Sequence, residues 1–428
     1  MDGLQPPLGL TALDRRLDRG SRDPIAVAYS GGGDSLAALI TVKAWADRAG
    51  RPVIALHVDH GLQAASGDWA RLAARNAERL GADFRLLPWI GDKPATGLSA
   101  AARIARHTLI AEAARAAGAK VVVLGHTADD RLEADWMRAE GASLGRPAEW
   151  RPSPIWPQGR GIFLLRPLLA LGRAQIRQAL ADCGLDWIED PANADPRSLR
   201  ARARAALAGE VRVGLANRDD GRPDPLAAAA PSVSVSPEGV FRIARSDLLA
   251  LSPDLGRRLL ASALVCAGGG SRPPRRERLE ALWARLAASE PFTASLAGAR
   301  LEAGAVIEIC REAGDYRRHG APVLTLQPGE VGVWDGRVLV TNGGERPVTI
   351  APLAGLIARL PVRQRQALGS VPPAARGGLP AMLSAQAVTP LLALDGADNV
   401  RSSGVDAKSL VLARFSAAIG GISKEPEI

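Results

Sequence analysis

Cysteine is scarce in this chain of 428 residues: only Cys183, Cys266 and Cys310 occur, far apart and with no C-x-x-C pair. Zinc knuckles, iron–sulfur clusters and dithiol redox motifs all need grouped thiolates, so the spacing argues against each. The three thiols read as reduced, partly buried side chains of a cytosolic protein. No run of about 18 apolar residues is present, so no transmembrane helix is expected. Met1–Asp14 carries acids and prolines in place of an apolar leader core, so no secretory signal is expected either. Internal repeats are absent. Lysine is rare as well: of 54 basic residues five are lysines, which leaves 49 arginines.

The composition is otherwise that of a soluble globular protein, 47% hydrophobic and 23% charged. Alanine-rich stretches such as Ala227–Ala230 raise the apolar fraction without adding large core side chains. The length exceeds one ordinary core and implies two or three domains. The net charge is +9. A GC-rich coding bias accounts for arginine over lysine but not for the excess of bases over acids. That excess favours a polyanionic partner, for which nucleic acid is the usual choice.

The first half alternates strand-like and helix-like segments. Strands are expected at Ile25–Tyr29, Val53–Val58, Phe84–Leu87 and Val121–Leu124, and helices at Asp34–Ala49, Trp69–Leu80 and Ser99–Ala117. Apolar strands separated by helices imply an α/β, Rossmann-like parallel sheet with helices on both faces. A long surface loop is expected from Gly141 to Gly161, a helix over Pro167–Leu185 and a basic helix over Arg197–Ala208. The expected organisation is a catalytic domain over residues 1–215, a Pro/Ala/Asp/Ser-rich linker over 216–236, and smaller α+β domains at 237–320 and 321–428. Within these, helices are expected at Ser246–Cys266 and Arg275–Ala288, a hairpin at Phe292–Leu301 and Ala305–Arg311, strands around a Trp334–Gly336 turn, and a last helix near Ser409–Ile419.

The strongest local signal is Ser30-Gly31-Gly32-Gly33-Asp34-Ser35, between a strand and a helix. Three glycines allow close approach of backbone to ligand and positive φ. Several amide N–H groups then converge at a helix N-terminus and form an anion site. Ser30 and Ser35 add hydroxyl donors, and Asp34 is a candidate magnesium ligand. No lysine follows the glycines, which excludes the G-x-x-x-x-G-K-[ST] loop, and the spacing is not G-x-G-x-x-G.

Three further segments stand out. His57-Val58-Asp59-His60-Gly61-Leu62 lies at the carboxyl end of the second strand, the edge where open α/β sheets bind ligands. Gly125–Glu133 begins at another strand's carboxyl end. Its Asp129, Asp130 and Glu133 stand three or four apart on a helix, so they could hold magnesium, receive a cationic amine, or simply be a solvated first turn favoured by the helix dipole. Arg103 and Arg106 share a helix face and could stabilise phosphate charge. Each segment alone is also compatible with a capped loop or a solvated surface.

Together and in this order, the segments resemble the tRNA(Ile)-lysidine synthetase family of PP-loop ATP pyrophosphatases. The resemblance rests on S-G-G-x-D-S, then H-V-D-H-G-L, then Ala101-Ala102-Arg103-Ile104-Ala105-Arg106-His107, then Gly125–Glu133. A fifth block is Arg166-Pro167-Leu168-Leu169 with Arg173 and Ile176, followed by Asp190–Asp195, Arg200 and Arg204. It covers residues from about 20 to 210. Thr127, Arg131, Ala134, Ser99, His107 and Ala201 depart from the common family residues, while the acids and paired arginines are kept.

The resemblance implies adenylation by ATP of the C2 oxygen of the wobble cytidine in a CAU anticodon of tRNA(Ile). Attack by the ε-amine of free L-lysine would then expel AMP and give lysidine. It implies ATP and magnesium as cofactors, a cytoplasmic location and no membrane partner, and leaves room for a homodimer. Ser30, Gly31, Gly32, Gly33, Asp34 and Ser35 would hold phosphates, and the adenosine would lie near Ala28 and His57. Asp130 and Glu133 would receive lysine with help from Asp129, Arg103 would stabilise the adenylated intermediate, and His126 would act as an acid–base or orienting group. Arg106, Arg200, Arg204 and Arg151 would contact tRNA. The Trp150–Trp156 loop with Arg151 and Arg160 is a candidate platform for an extruded base. Rivals are a tRNA thiolase, against which the scattered cysteines argue, a small-molecule amidating ligase, against which the basic later domains argue, and a non-catalytic relic, against which Asp34 and Glu133 argue.

Overall fold

The computed structural model describes residues 8–142, 145–181, 184–191, 195–208, 225–229, 232–288, 290–383, 388–391 and 404–426. The chain forms two compact units. The first holds residues 1–222 and 422–428, and the second residues 223–421. Most of the linker segment, Cys183 and Asn193 lie outside the described residues.

The first unit contains α1 (Leu10–Arg16), β1 (Ile25–Ala28), α2 (Gly33–Ala49), β2 (Val53–Asp59), α3 (Ser66–Arg79), β3 (Asp83–Pro88), α4 (Leu98–Ala116), β4 (Val121–Leu124), α5 (Ala128–Ala139), β5 (Trp150–Pro152), β6 (Phe163–Leu165), α6 (Arg173–Ala181) and α7 (Leu199–Ala206). The sheet order is β3-β2-β1-β4-β6-β5. All neighbours are parallel except the β5–β6 pair. Alternate strand residues face opposite sides, as the two-residue period requires. Ile25, Val27, Val53 and Val123 join a core with Leu36, Leu39 and Trp45 of α2 and Ile176 and Leu180 of α6. Ala26, Ile54, Leu56 and Val122 join a second core with Ile110 and Ala114 of α4. The expected parallel sheet with helices on both faces is the observed fold.

Several expectations change. The 141–161 loop contains β5, an antiparallel edge strand whose Trp150 stacks on Phe163 with ring centroids 5.0 Å apart. The expected helix over Pro167–Leu185 begins only at Arg173, since Pro167–Leu171 is spent on tight turns. Residues 422–426, expected in a C-terminal domain, form a strap on the first unit. Glu425 there is gripped by Arg51 through two 2.7 Å bonds, with both side chains essentially buried. Its backbone N–H donates to Arg16 O, Arg16 Nη1 donates to Ser423 O, and Trp150 Nε1 donates to Ile422 O.

The second unit carries a five-stranded, a four-stranded and a three-stranded sheet. The expected helix Ser246–Cys266 is two helices, Arg245–Ala250 and Pro253–Gly268. Ser252 caps the second by accepting from Leu255 N–H, and Pro253 takes the first helical position, where no N–H is needed. The Phe292–Leu301 segment is split by a turn at Ala297 and Gly298, both at positive φ, into antiparallel strands Phe292–Leu296 and Ala299–Ala303. Asp335 and Gly336, also at positive φ, turn Val331–Trp334 back onto Val338–Asn342, where the turn was expected.

Candidate active site

β1 is followed in the sheet by β2 on one side and β4 on the other, so the strand order reverses between β1 and β4. In such a sheet the crevice at the carboxyl ends of these strands is the binding place. Both strong motifs leave the sheet there: the glycine loop follows β1 and Gly125–Glu133 follows β4. The closeness is enforced by Gly125. A Cβ at this position would lie 2.5 Å from Asp34 O and 2.9 Å from Ser35 Cα. Gly31 has φ +84°, and Ile188 Cδ1 occupies the space a side chain would need there.

The crevice is a cavity of about 490 Å³. Ser30, Gly32, Asp34 and Ser35 form its floor, at the N-terminus of α2. Ser35 Oγ donates to Gly32 O at 2.8 Å and lies 3.1 Å from Ser30 Oγ, so the hydroxyls brace the loop. Ala28 and His57 line the cavity, as does Arg106. His57 Nδ1 donates to Tyr29 O at 3.0 Å. Burial holds its imidazole below the usual range, so the ring is neutral with Nε2 as an acceptor. Arg106 is half-buried with no acidic partner among the described residues. Burial, with Arg103 and Arg200 nearby, pushes its guanidinium down to about 10, which still leaves it charged at neutral pH. Arg103, one turn earlier, is exposed, as is Arg151 on β5.

His126 is half-buried at the carboxyl end of β4. Arg166 Nε donates to His126 Nδ1 at 2.9 Å, which leaves the ring proton on Nε2. Burial, reinforced by Arg166, Arg200 and Arg106 and only partly opposed by Asp130, lowers the imidazole to about 3. His126 is therefore a neutral hydrogen-bond donor near pH 7, not a proton reservoir. His107 is likewise lowered to about 3, by burial and then by Arg106 and Arg103.

Asp129, Asp130 and Glu133 are all buried in the first turns of α5. Asp130 Oδ2 accepts from Thr127 N–H at 2.8 Å and completes a capping box. Burial alone would raise Asp130. Arg200, the Thr127 N–H and Arg173 oppose this and hold it below the usual carboxylate range. Arg173 was recognised in the sequence only as a motif position, yet it touches all four local acids. Its N–H donates to Asp129 Oδ2 at 2.7 Å, Nε to Asp34 Oδ2 at 3.0 Å and Nη1 to Glu133 Oε1 at 3.2 Å, and Nη2 lies 3.7 Å from Asp130 Oδ1. Arg204 Nε donates to Glu133 Oε1 at 2.8 Å, and Arg200 Nε lies 3.1 Å from Glu133 Oε2. The cluster of acids is thus an arginine-neutralised network. Arg200 and Arg204 face these acids.

Among the described residues no group of three or more His, Cys, Asp and Glu side chains is arranged to hold a metal. One carboxylate oxygen does suit one: Asp34 Oδ1 is buried and accepts no hydrogen bond. Burial raises the Asp34 carboxyl above its usual value despite the opposing charge of Arg173. Magnesium bound through a single carboxylate and substrate phosphates needs no more from the protein.

Residues 11–211 match the PP-loop domain family. The chain is 48% identical over 415 residues to the tRNA(Ile)-lysidine synthase of Caulobacter vibrioides, covering 97% of each chain. It is 35% identical to that of Rhizobium meliloti over 77% of this chain and 76% of that one, and 34% identical to that of Hyphomonas neptunium over 68% and 80%. The chain belongs to the tRNA(Ile)-lysidine synthase family. Residues 11–211, which match the PP-loop domain, lie in the first unit, and its glycine loop, His57, Arg106 and His126 share one cavity. The Trp150 ring packs against Phe163 in the edge of the sheet and is half-buried, so that part of the loop carries structure in this chain. No helix among its described residues is long and apolar enough to cross a membrane.

Proposed function

We propose that the chain is an ATP-dependent carbon–nitrogen ligase that converts the wobble cytidine of the CAU anticodon of tRNA(Ile) to lysidine, in the cytoplasm. The observation that carries this reading is family membership over nearly the whole chain, together with a glycine loop on the floor of a cavity large enough for a nucleotide. The C2 oxygen of the cytidine attacks the α-phosphorus of ATP, a C2–O–P bond forms, and pyrophosphate leaves. The lysine ε-amine, uncharged, then attacks C2. The C2–O bond breaks, AMP departs with its electron pair, and the nitrogen gives up its surplus protons.

The amides of Gly31, Gly32 and Gly33 and the α2 N-terminus receive phosphates. Asp34 would hold magnesium through Oδ1, whose chemistry is to offset charge on the departing pyrophosphate. The adenine lies beside Ala28 and His57. Arg106, charged and without an acidic partner among the described residues, and Arg103 stabilise the phosphate of the adenylated intermediate. His126 donates through Nε2 to an oxygen near C2. Asp130 and Glu133, with Asp129, form the acidic side of the lysine seat, and Arg200 and Arg204 are freed to face tRNA when that seat fills. Arg151 and the basic second unit meet tRNA phosphates, so affinity falls steeply with salt.

The test is release of AMP and pyrophosphate from ATP by the purified protein with magnesium. Release that depends on an unmodified CAU-anticodon isoleucine tRNA supports the adenylating step. Release with no tRNA requirement would favour a small-molecule amidating ligase instead.

A further inference from the structure

The buried face of α3 is Ala70, Ala73, Ala77 and one amide, Asn76, which is 3% exposed. An amide in an alanine stripe carries a desolvation cost that its hydrogen bonds must offset. Asn76 Nδ2 donates to Asp186 O at 2.8 Å and to Tyr29 Oη at 3.3 Å. Asp186 belongs to residues 185–190, which lie between α6 and α7 and form neither helix nor strand. That segment runs along the outer side of the glycine loop. Ile188 N–H donates to Gly31 O at 2.9 Å. Ile188 Cδ1 would lie 2.2 Å from a Cβ at Gly31, and Trp187 Cδ1 3.5 Å from one at Gly33. Ser30 and Gly32 line the cavity, whereas Gly31 turns to Ile188. The Gly31–Gly32 peptide is trans, so its N–H points opposite to its C=O. With Gly31 O held by Ile188, Gly32 N–H faces away from the segment. A peptide between two glycines has no Cβ to resist a flip, so the Ile188 bond decides which side of it the cavity meets.

Building on the phosphate-binding role proposed above for the glycine loop, we infer that Asn76 is a positioning residue for ATP. Through Asp186 O it holds the segment in place, and through the Ile188 N–H the segment keeps Gly32 N–H turned toward the phosphates. Asn76 itself does not line the cavity, so it acts at one remove. The segment has other ties, but they lie at the surface. Arg177 sits 5.5 Å over the Trp187 ring and pairs with Glu189, and Trp187 Nε1 donates to Glu189 at 2.7 Å. The Arg177 and Glu189 side chains are 41% and 63% exposed, and ion pairs so exposed hold little. Asn76 supplies a buried tie where these are wet.

The test compares a ligand that has phosphates with one that has none. Dissociation constants of magnesium-ATP and of adenosine are measured by isothermal titration of the full-length protein. Asn76→Leu keeps much of the volume and donates nothing, and Asn76→Ala matches the neighbouring alanines and favours the helix. Either should weaken ATP by about three- to tenfold, the worth of one neutral hydrogen bond, and leave adenosine unchanged. In tRNA-dependent AMP release the KM for ATP should rise by the same factor with kcat held. Ile188→Pro removes the N–H donor itself and should weaken ATP at least as much. Adding Asn76→Ala to it should cost nothing further, because both act on one bond. Losses that multiply in the double variant overturn the inference. So does unchanged ATP affinity in either folded Asn76 variant, or equal weakening of ATP and adenosine, which is the mark of a general lesion. Should Ile188→Pro fail to fold, the two Asn76 variants decide alone. A wild-type protein that binds ATP no better than adenosine overturns the phosphate-loop reading itself, and this inference with it.

Discussion

Glu425 lies 374 positions from Arg51 in sequence, yet the two make one of the most deeply buried ion pairs in the molecule, at 2% and 0% side-chain exposure. Glu425→Gln keeps the shape and removes the charge. Arg51 would then remain buried, bonded to Asp18 O and Asp23 O but without its anion. Breaking a buried pair by removing one partner costs about 3–5 kcal/mol. The first unit spans residues 1–222 and 422–428, in the size range where each kcal/mol shifts Tm by about 2–4 °C. The transition of this unit should therefore fall by about 6–20 °C. Differential scanning calorimetry resolves it, and ATP, proposed above to bind in this unit's cavity, should raise the transition that belongs to it. The same substitution at the exposed Arg276–Glu280 pair, Glu280→Gln, should leave both transitions where they are. A shift below about 2 °C for Glu425→Gln would refute the reasoning, because it would mean that water or another group already serves Arg51.

Gly125→Ala should lower both stability and ATP affinity, since its Cβ would meet the Asp34 backbone at 2.5 Å and backbone cannot swing aside. Overpacking of this kind costs about 1–3 kcal/mol, readable by calorimetry and by nucleotide titration. Asp34→Asn removes the charged oxygen assigned to magnesium and should reduce tRNA-dependent AMP release by roughly a hundredfold or more. Stability should also depend on acid. His126 and His107 are lowered to about 3 in the folded protein, so between that value and the unfolded 6.5 the unfolded chain binds more protons. Their contribution is complete above pH 6.5 and is lost as pH falls. From pH 7 to pH 5 each should cost about 2 kcal/mol, and His107→Asn should remove one of the two from the slope of Tm against pH.

The sheet and the crevice were legible because their signals are local. A β-rich run followed by three glycines and an amphipathic helix specifies strand, loop and helix within the span of residues 25–49, and the second and fourth strands repeat the pattern. Short edge elements were not. β5 has three residues, and its pairing with β6 is a tertiary choice that no period of two can announce at that length. The break at Ser252-Pro253 did carry a signal, a serine cap before a first-turn proline, which apolar periodicity alone overrides. The acids of α5 were found by spacing, but their arginine partners were not. Arg173 and Asp34 are 139 positions apart, Arg204 and Glu133 71. Ion pairs over such separations leave no trace in a linear pattern, and the same holds for the strap around Glu425.

Transfer of labelled lysine tests the central claim most directly. Purified protein, ATP, magnesium and labelled lysine are mixed with an unmodified CAU-anticodon isoleucine tRNA transcript, and with a methionine tRNA of the same anticodon as control. Label in the isoleucine tRNA alone is the predicted result. AMP production without label in either tRNA would keep the adenylating chemistry and contradict lysine as the nucleophile, and neither label nor AMP would contradict the account as a whole.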